Sequence, residues 1–349
     1  MSGPYKAYDI AVVIGRFQPC HLGHVEILEE ANRISHNVIV LLGSANTARN
    51  IKNPFTIDER RQILKESVDF PFMSIGIDDY LYDDTVWLSQ VQEKVSQLIS
   101  SFWKKDFEPK VALVGSISDG SSYYLNLFPQ WTFRNVNVKF PKDVHAVNLR
   151  KKIFGENMNI ESIEQYLSTG SRHFLRNFEK TEAFESLCKE FHYIEDYKKP
   201  YASLPFPPTF VTTDAVVVHH GHILLIVRGG NPGKGLWALP GGFLNPNEKI
   251  IEGAMRELKE ETGLKITNPD ASYSLKSEKV FDHPSRSLRG RAITHAFYWQ
   301  GHSPKLPLVK GADDAQHAQW VPIYEAMGKP NLFFEDHWHI INYFLNTSV

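Results

Sequence analysis

The chain has 349 residues, 42% of them hydrophobic and 22% charged, so it is ordinary globular material and exceeds the roughly 100–200 residues of one domain. Its formal net charge of −2 gives no electrostatic case for nonspecific binding to nucleic acid. Two cysteines make neither a disulfide framework nor a zinc cluster, and we recognise no secretory signal or membrane-spanning apolar run. We therefore expect a cytoplasmic protein without a membrane partner.

The first half of the chain alternates buried strands with helices. The pattern predicts strands at 10–14, 37–42 and 110–115, and helices at 25–33, 57–68 and 86–101. Such alternation indicates βαβ units and a doubly wound, Rossmann-like parallel sheet of the α/β class. Ligands on these sheets bind at the carboxyl ends of strands. The segment GRFQPCHLGH follows the first strand and is therefore a candidate site.

Within that segment, His21 and His24 lie three residues apart at the predicted start of a helix. Both imidazoles can face a ligand beside free backbone N–H groups and the positive end of the helix dipole. Gly23 leaves room for a phosphate between them. Two histidines are more often surface or core residues, and a dinuclear metal site is a further alternative, although no acidic partner has matched spacing.

Together with the preceding strand and the residues Gly15, Arg16 and Phe17, this segment resembles the HxGH nucleotidyltransferase superfamily. Two later segments, GSANTARNIKNPFTIDERRQIL and GSISDGSSYYLNLFPQW, extend the resemblance to archaeal-type nicotinamide-mononucleotide adenylyltransferases over most of residues 8–155. The resemblance implies Mg²⁺-assisted transfer of AMP from ATP to nicotinamide mononucleotide, which yields NAD and pyrophosphate. Alternative substrates within the superfamily are pantetheine phosphate, or CTP with alcohol phosphates.

The same resemblance implies roles for single residues. His21, His24 and Arg150 are expected to stabilise charge on the transferring and departing phosphates. The other expected substrate-binding residues are Gly15, Arg16, Phe17, Arg49, Asn53, Phe55, Arg60, Trp87 and Gly115. Either Trp87 or Trp131 would stack on nicotinamide, and an exposed charge on a helix is the alternative for Arg60. This chain has His145 and Val147 where the family has a serine and a threonine before the arginine.

The middle of the chain divides it into domains. Residues 156–195 are helical in character and are expected to pack on the first domain, which then spans 1–195 with its core at 8–155. Four prolines and a loss of apolar periodicity at 196–209 predict a semi-rigid linker. The second domain is then 210–349.

The second domain begins with a predicted hairpin. Its strands are expected at 215–218 and 223–227, with His220, Gly221 and His222 in the turn. Further strands are predicted at 278–281, 293–299 and 318–321, and a final helix at 338–345. These elements favour an α/β/α domain with a mixed sheet.

A helix rich in carboxylates lies within residues 242–264, which read GFLNPNEKIIEGAMRELKEETGL. Glu257, Glu260 and Glu261 share one side of it, and such crowding is unfavourable unless a cation binds there. Oxygen ligands suit Mg²⁺ or Mn²⁺, and Gly241 lies in a turn that can bring its backbone to the same ion. A solvated face with ion pairs such as Arg256 with Glu260 is the alternative.

This segment fills every fixed position of the Nudix box, so the domain resembles enzymes that cleave nucleoside diphosphates linked to another group. The segments FDHPSRSLRGR, GADDAQHAQWVP and FFEDHWHII are similar to ADP-ribose pyrophosphatases, which implies hydrolysis of ADP-ribose to AMP and ribose 5-phosphate. Arg286, Arg289 or Arg291 would bind phosphate, with a solvated charge as the alternative for each. The general base is expected among the box glutamates, Asp313, Asp314 and Glu335.

Other functions of the second domain stay open. NADH and dinucleoside polyphosphates are alternative Nudix substrates. An ADP-ribose sensor is a further alternative, although its box acids could be lost and a basic DNA-binding module would be expected after the domain. The sequence also leaves the formation of a homo-oligomer open.

Overall fold

The computed structural model describes residues 6–103, 108–117, 124–139, 141, 145–155, 160–267 and 272–347. The chain divides into two compact units, Met1–Phe191 and His192–Val349. Among the described residues, no helix combines the length and apolar character needed to cross a membrane.

The first unit contains a five-stranded parallel sheet with the strand order β3-β2-β1-β4-β5. Its strands are β1 (Tyr8–Gly15), β2 (Ser35–Leu42), β3 (Met73–Gly76), β4 (Val111–Gly115) and β5 (Thr132–Asn135). Its helices up to residue 154 are α1 (Leu22–Ile34), α2 (Ile57–Lys65), α3 (Asp84–Phe102) and α4 (Ala146–Phe154). The predicted doubly wound fold is confirmed. The sequence pattern does not predict β3 and β5, because each has four residues and no fully buried run.

The sheet is buried on both faces. Along β1, Ile10 and Val12 belong to one buried cluster, whereas Ala11 and Val13 belong to another. This alternation follows from the two-residue period of a strand and explains the continuous apolar run. Because β1 has β2 on one side and β4 on the other, the carboxyl end of β1 at Gly15 is the switch point of the sheet.

Residues 160–198 are mostly helical, as predicted for most of 156–195. A 3₁₀ helix at Glu161–Tyr166 is followed by α5 (Thr169–Phe178) and α6 (Glu182–Lys198). Leu175, Phe178 and Phe184 are buried in the same cluster as Phe17 of the candidate site. The extension therefore packs against the segment that carries His21 and His24, and residues 156–159 lie outside the described residues.

The predicted linker at 196–209 differs from the structure at its first six residues. Helix α6 continues to Lys198, and a 3₁₀ helix follows at Lys199–Tyr201. The interpretation of Pro200 as a helix breaker is wrong there, because Pro200 occupies the first turn of the 3₁₀ helix, where a missing N–H group costs nothing. The division between the two compact units falls within α6, at residues 191 and 192.

The second unit has a mixed seven-stranded sheet. Its strands are β6 (Thr209–His219), β7 (His222–Arg228), β8 (Trp237–Ala238), β9 (Gly241–Phe243), β10 (Tyr273–Phe281), β11 (Arg291–Gly301) and β12 (Ala315–Pro322). The long strands β6 and β11 are parallel, and the other pairs are antiparallel. The predicted hairpin is confirmed as β6–β7, with positive φ at His220 and Gly221, as a tight two-residue turn requires.

The helices of this unit are α7 (Ile250–Thr262), α8 (Ile323–Met327) and α9 (His337–Thr347). Helix α7 carries the box carboxylates and packs Ala254 and Leu258 into a cluster with Ala215, Val217 and Phe297 of the sheet. It ends at Gly263, whose φ of 73° is the left-handed conformation that favours glycine. The predicted amphipathic helix is confirmed, and its apolar stripe positions the carboxylates.

Candidate active sites

His21 and His24 of the first unit stack on each other at the amino end of α1. Their ring centroids are 3.8 Å apart with an interplanar angle of 27°. The backbone N–H of His21 donates to Nδ1 of His24 at 3.2 Å, which fixes the orientation of the second ring. Phe17 has a φ of 53°, and the centroid of its ring lies 4.8 Å from that of the His24 ring, so the two rings are in contact.

Burial keeps both imidazoles neutral at neutral pH. It lowers the pKa of His21 from 6.5 to about 4, with a smaller contribution from His145, and it lowers the pKa of His24 well below 6.5. Neutral imidazoles supply N–H donors to a ligand without carrying a charge of their own.

The turn that carries these histidines is held by buried polar groups. Gln18 exchanges two hydrogen bonds of 2.9 Å with the backbone of Phe55, and Nη1 of Arg150 donates to the Gln18 carbonyl at 2.6 Å. Arg60 donates to the carbonyls of Arg16 and Gly43 at 3.0 and 2.6 Å. Because Arg60 is only 2% exposed, the alternative of an exposed helical charge is wrong for it.

Three basic groups mark this site as a place for an anion. Burial, followed by the positive charge of Arg16, lowers the pKa of Arg150 to about 10. The same two causes are the largest ones that lower the pKa of Lys52. Such mutual repulsion is relieved when a polyanion binds between the groups. Sequence reasoning missed Lys52, and its only signal was a basic residue within the segment ARNIKNPF.

Arg49, Asn53 and Phe55 have different surroundings. Arg49 forms a bidentate pair with Glu59 at 2.9 and 3.0 Å, so its charge is already balanced. The Phe55 ring is buried at 2% exposure against Phe174 and Phe178, so it contributes to the site through its backbone contact with Gln18. The Oδ1 atom of Asn53 is buried and has no hydrogen-bond partner among the described residues.

Trp87 lies in an aromatic cluster on the other face of the sheet. It contacts Tyr124 edge to face at 5.6 Å, and the Tyr124 hydroxyl donates to the carbonyl of Ile14 at the end of β1. Trp131 instead stacks on Phe128 at 4.8 Å. Gly115 ends β4, and a Cβ atom there would approach the side chain of Leu125 to 3.0 Å, so a larger residue would require that side chain to shift.

His145 and Val147 lie at the amino end of α4. His145 precedes the first residue of the helix, and the side chain of Val147 is 49% exposed. Arg150 lies one turn further and turns inward to Gln18, so the direction of its side chain does not depend on the replaced serine and threonine.

In the second unit, two glycines let the strand β9 approach the box helix. A Cβ atom at Gly242 would lie 2.4 Å from the Glu257 carboxylate, and one at Gly241 would lie 2.3 Å from the carbonyl of Thr213. The N–H of Gly241 donates to Oε2 of Glu261 at 2.9 Å. Gly241 is therefore required by the neighbouring backbone of β6, and Gly242 allows β9 to lie against the Glu257 carboxylate.

Two of the box acids are mostly buried. Burial raises the pKa of Glu261 to about 8 against the hydrogen bond from Gly241, and the charges of Glu257 and Asp214 raise it further. Burial also raises the pKa of Glu257, with contributions from Glu260 and Asp313. Desolvated carboxylates with mutual repulsion are stabilised by a bound cation.

Arg256 links the remaining acids. It donates to Glu248 at 2.7 and 2.9 Å, to Glu257 at 2.9 Å and to Glu260 at 2.8 Å. The described ranges contain no group of three histidine, cysteine or carboxylate side chains that are close enough together to hold a metal ion. The donors nevertheless fit a hard divalent ion, because Glu257 and Glu261 offer carboxylate oxygens and Gly241 a backbone carbonyl.

A cavity of about 300 Å³ opens beside these acids. Arg286 and Arg289 line it, but Arg286 is already bound bidentately by the buried Asp336 at 2.8 and 2.9 Å. Arg291 does not line it, because its guanidinium turns to the carbonyl of Asp282, and the expectation that it binds substrate is not supported by this position.

Arg228 also lines the cavity and was missed by sequence reasoning. It lies at the end of β7 with its guanidinium 4.0 Å from the centroid of Phe334, and burial followed by Arg289 lowers its pKa. In the sequence, Arg228 is marked only as the single charged residue at the end of the apolar strand HILLIVR. The cavity is thus lined by two positively charged side chains, Arg228 and Arg289, which repel each other.

The candidate bases Asp313, Asp314 and Glu335 line the same cavity. Asp313 and Glu335 have φ values of 54° and 44°, which are uncommon for residues other than glycine. Oε1 of Glu335 accepts a hydrogen bond from the N–H of Leu288 at 3.1 Å. The structure therefore brings all three loop acids to the cavity that the box carboxylates line.

Comparison with known proteins matches both units. The Cytidylyltransferase-like family model matches residues 12–85, and the NUDIX domain model matches residues 209–344. The nicotinamide/nicotinic acid mononucleotide adenylyltransferase of Acinetobacter baylyi is 35% identical over 193 residues, covering 54% of this chain and 95% of that protein. The ADP-ribose pyrophosphatase of Methanocaldococcus jannaschii is 37% identical over 131 residues, covering 38% of this chain and 70% of that protein.

One solved structure matches nearly the whole chain. It is a bifunctional NMN adenylyltransferase/ADP ribose pyrophosphatase from Francisella tularensis, complexed with AMP and a manganese ion, with a TM-score of 0.86 and 34% identity over 98% of this chain and 100% of that one. Fold and sites thus define an enzyme that joins a nucleotidyltransferase unit to a Nudix hydrolase unit. Given these relatives, the chain belongs to the family of bifunctional NMN adenylyltransferase/ADP-ribose pyrophosphatases.

Proposed function

We propose that this chain catalyses two reactions of NAD metabolism. The first unit transfers AMP from ATP to nicotinamide mononucleotide, and the second hydrolyses ADP-ribose to AMP and ribose 5-phosphate. The observation that carries the proposal is the match of 98% of the chain to one solved bifunctional enzyme. Mg²⁺ or Mn²⁺ is the proposed cofactor, in keeping with the oxygen donors of the box.

The first reaction needs no protein nucleophile. The 5′-phosphate of nicotinamide mononucleotide attacks the α-phosphorus of ATP in line, and the bond from that phosphorus to the pyrophosphate breaks. His21 and His24 donate hydrogen bonds from neutral rings to the phosphates. Arg16, Lys52 and Arg150 surround the same turn and stabilise the charge that accumulates on the departing pyrophosphate.

The second reaction adds water to a phosphorus of the diphosphate and breaks the bond to the bridging oxygen. A divalent cation at the box supplies Lewis-acid polarisation and a more acidic water. Glu257, Glu261 and the carbonyl of Gly241 would hold that ion, with Glu260 beside them. Arg228 and Arg289 orient the diphosphate, and a box glutamate or one of the loop acids accepts the proton of the water.

The proposal is tested on the purified full chain with two assays. NAD formation is measured from ATP and nicotinamide mononucleotide, and AMP release is measured from ADP-ribose, with NADH and diadenosine polyphosphates as competing substrates. Pantetheine phosphate replaces nicotinamide mononucleotide in a parallel reaction. Absence of NAD defeats the first assignment, and failure to cleave ADP-ribose defeats the second.

Two variants assign each reaction to its unit. His24→Ala is expected to lower the kcat of NAD formation by ~100-fold or more with little change in KM, because the ring acts on the transition state. Glu261→Gln is expected to lower ADP-ribose hydrolysis by ~100-fold or more. Each variant should keep the reaction of the other unit, which shows that each loss is confined to the unit that carries the substitution.

A further inference from the structure

Three aromatic rings form one wall of the hydrolase cavity. Tyr197 comes from α6, Phe210 from β6 and Phe243 from β9, and all three line the cavity. The ring centroids of Tyr197 and Phe210 are 5.9 Å apart, and those of Phe210 and Phe243 are 5.8 Å apart. Because Phe243 is 39% exposed and the other two rings are only partly buried, the wall offers ring surface to a ligand.

This aromatic wall is continuous with the acidic end of the cavity. Phe210, Thr212 and Asp214 alternate along β6, so their side chains share one face, and all three line the cavity. The stretch from Phe210 to Asp214 spans about 13 Å of strand. Phe243 directly follows Gly242, which contacts Glu257. A ligand whose diphosphate lies at the carboxylates can therefore reach this face with its nucleoside end.

Arg289 stands beside the wall. Its guanidinium carbon lies 5.9 Å from the ring centroid of Tyr197 and 5.4 Å from that of Phe243. The Nε atom of Arg289 is buried and finds no hydrogen-bond acceptor in the described part of the chain. Aromatic faces with an adjacent guanidinium are the surface on which nucleobases stack, since every base has a π face.

We propose that Tyr197 stacks on the nucleobase of the hydrolase substrate and contributes to its recognition. Tyr197 lies on α6, 12 residues before residue 209, where the match to the NUDIX domain begins. The hydrolase site is then completed by a side chain from outside the Nudix domain itself. The inference rests on the proposed hydrolysis of ADP-ribose, whose adenine is the base in question.

Kinetics of the full chain test this role. Tyr197→Ala is expected to raise the KM for ADP-ribose about tenfold with little change in kcat, as expected for a lost stacking contact. Tyr197→Phe should retain the wild-type KM because it keeps the ring. Tyr193→Ala, at an exposed tyrosine one turn earlier on α6, is the matched control. An unchanged kcat of ADP-ribose hydrolysis in each variant reports that the second unit is folded.

Product inhibition separates base stacking from a structural effect. In Tyr197→Ala the inhibition constant of AMP should weaken about tenfold, whereas that of ribose 5-phosphate, which has no base, should not change. Equal weakening of both products, or a tenfold KM change in Tyr197→Phe, overturns the proposal. AMP binding to the wild type and Tyr197→Ala by calorimetry remains decisive even if ADP-ribose is not the substrate: equal affinities reject stacking independently of the proposed function.

Discussion

His21 and His24 form a stacked pair whose rings the fold holds in a neutral state. In the unfolded chain a histidine binds a proton below its ordinary pKa of 6.5, whereas the pKa of folded His21 is about 4. A lowered folded pKa contributes stability above pH 6.5 that is lost as the pH falls towards 4. We expect the first unit to lose stability between pH 7 and pH 5.

Hydrogen exchange of peptides from the first unit at pH 7 and pH 5 measures this loss, after correction for the intrinsic exchange rates. His21→Asn should reduce the difference between the two pH values because it removes one of the titrating groups. His36→Asn, at an exposed histidine of β2, is the control and should leave it unchanged. A pH response identical in wild type and His21→Asn would contradict the prediction.

Arg60 holds the backbone of the first candidate site in place. Its planar guanidinium fork donates hydrogen bonds to the carbonyls of Arg16 and Gly43, which follow the ends of two strands. Lysine cannot reproduce the planar fork, so Arg60→Lys is expected to leave a buried carbonyl without a donor and to lower the free energy of unfolding by ~1–3 kcal/mol. Urea unfolding measures the loss.

NAD formation by Arg60→Lys should fall with stability, whereas ADP-ribose hydrolysis should not. Arg61→Lys is the matched control, since Arg61 lies next to Arg60 and pairs at 2.9 Å with the exposed Asp58. A stable Arg60→Lys with normal NAD formation contradicts the positioning role.

At the scale of secondary-structure elements, strand β9 lies against helix α7, which carries the box carboxylates. Gly242→Ala would place a methyl group 2.4 Å from the present position of the Glu257 carboxylate, so the strand or the acid must move. A shift of about 1 Å in a reacting group can cost ~100-fold in rate. We expect that loss in ADP-ribose hydrolysis, measured as kcat/KM.

Gly230→Ala is the control for that change, because a Cβ atom at Gly230 meets no heavy atom within 4 Å. It should retain hydrolysis. Full activity of Gly242→Ala would show that the close contact is not required for the box to work.

Helix α6 illustrates why the end of an element is hard to predict. Proline and a loss of periodicity favoured a linker from residue 196, yet the helix continues to Lys198. Proline is tolerated in a first helical turn, and the side chain of Ile194 is fully buried, so packing extends the helix beyond its sequence signal.

The molecule taken as a whole carries two sites that both act on phosphates. Chelation of divalent ions is expected to abolish ADP-ribose hydrolysis, and added Mg²⁺ or Mn²⁺ should restore it, because the buried box acids need a cation. Initial rates against metal concentration measure the response. Glu261→Gln should require more metal than Glu260→Gln, since Glu260 is exposed and already paired with Arg256. Hydrolysis that persists after exhaustive chelation contradicts the metal role.

The amino-acid sequence alone is enough to predict the two enzyme units and the two kinds of sheet. His21, His24 and the box glutamates lie within contiguous motifs. The strands and helices that carry them show a local periodicity of apolar residues in the sequence. Such signals need no knowledge of distant residues.

The three-dimensional arrangement, in contrast, determines which side chains complete each site. No recognisable motif contains Lys52, Arg228 or Tyr197. They reach their sites because segments that are far apart in the chain meet there. Arg291 lies two residues from Arg289 yet turns away from the cavity. The physical reason is that the direction and burial of a side chain depend on long-range packing, which a linear pattern does not contain.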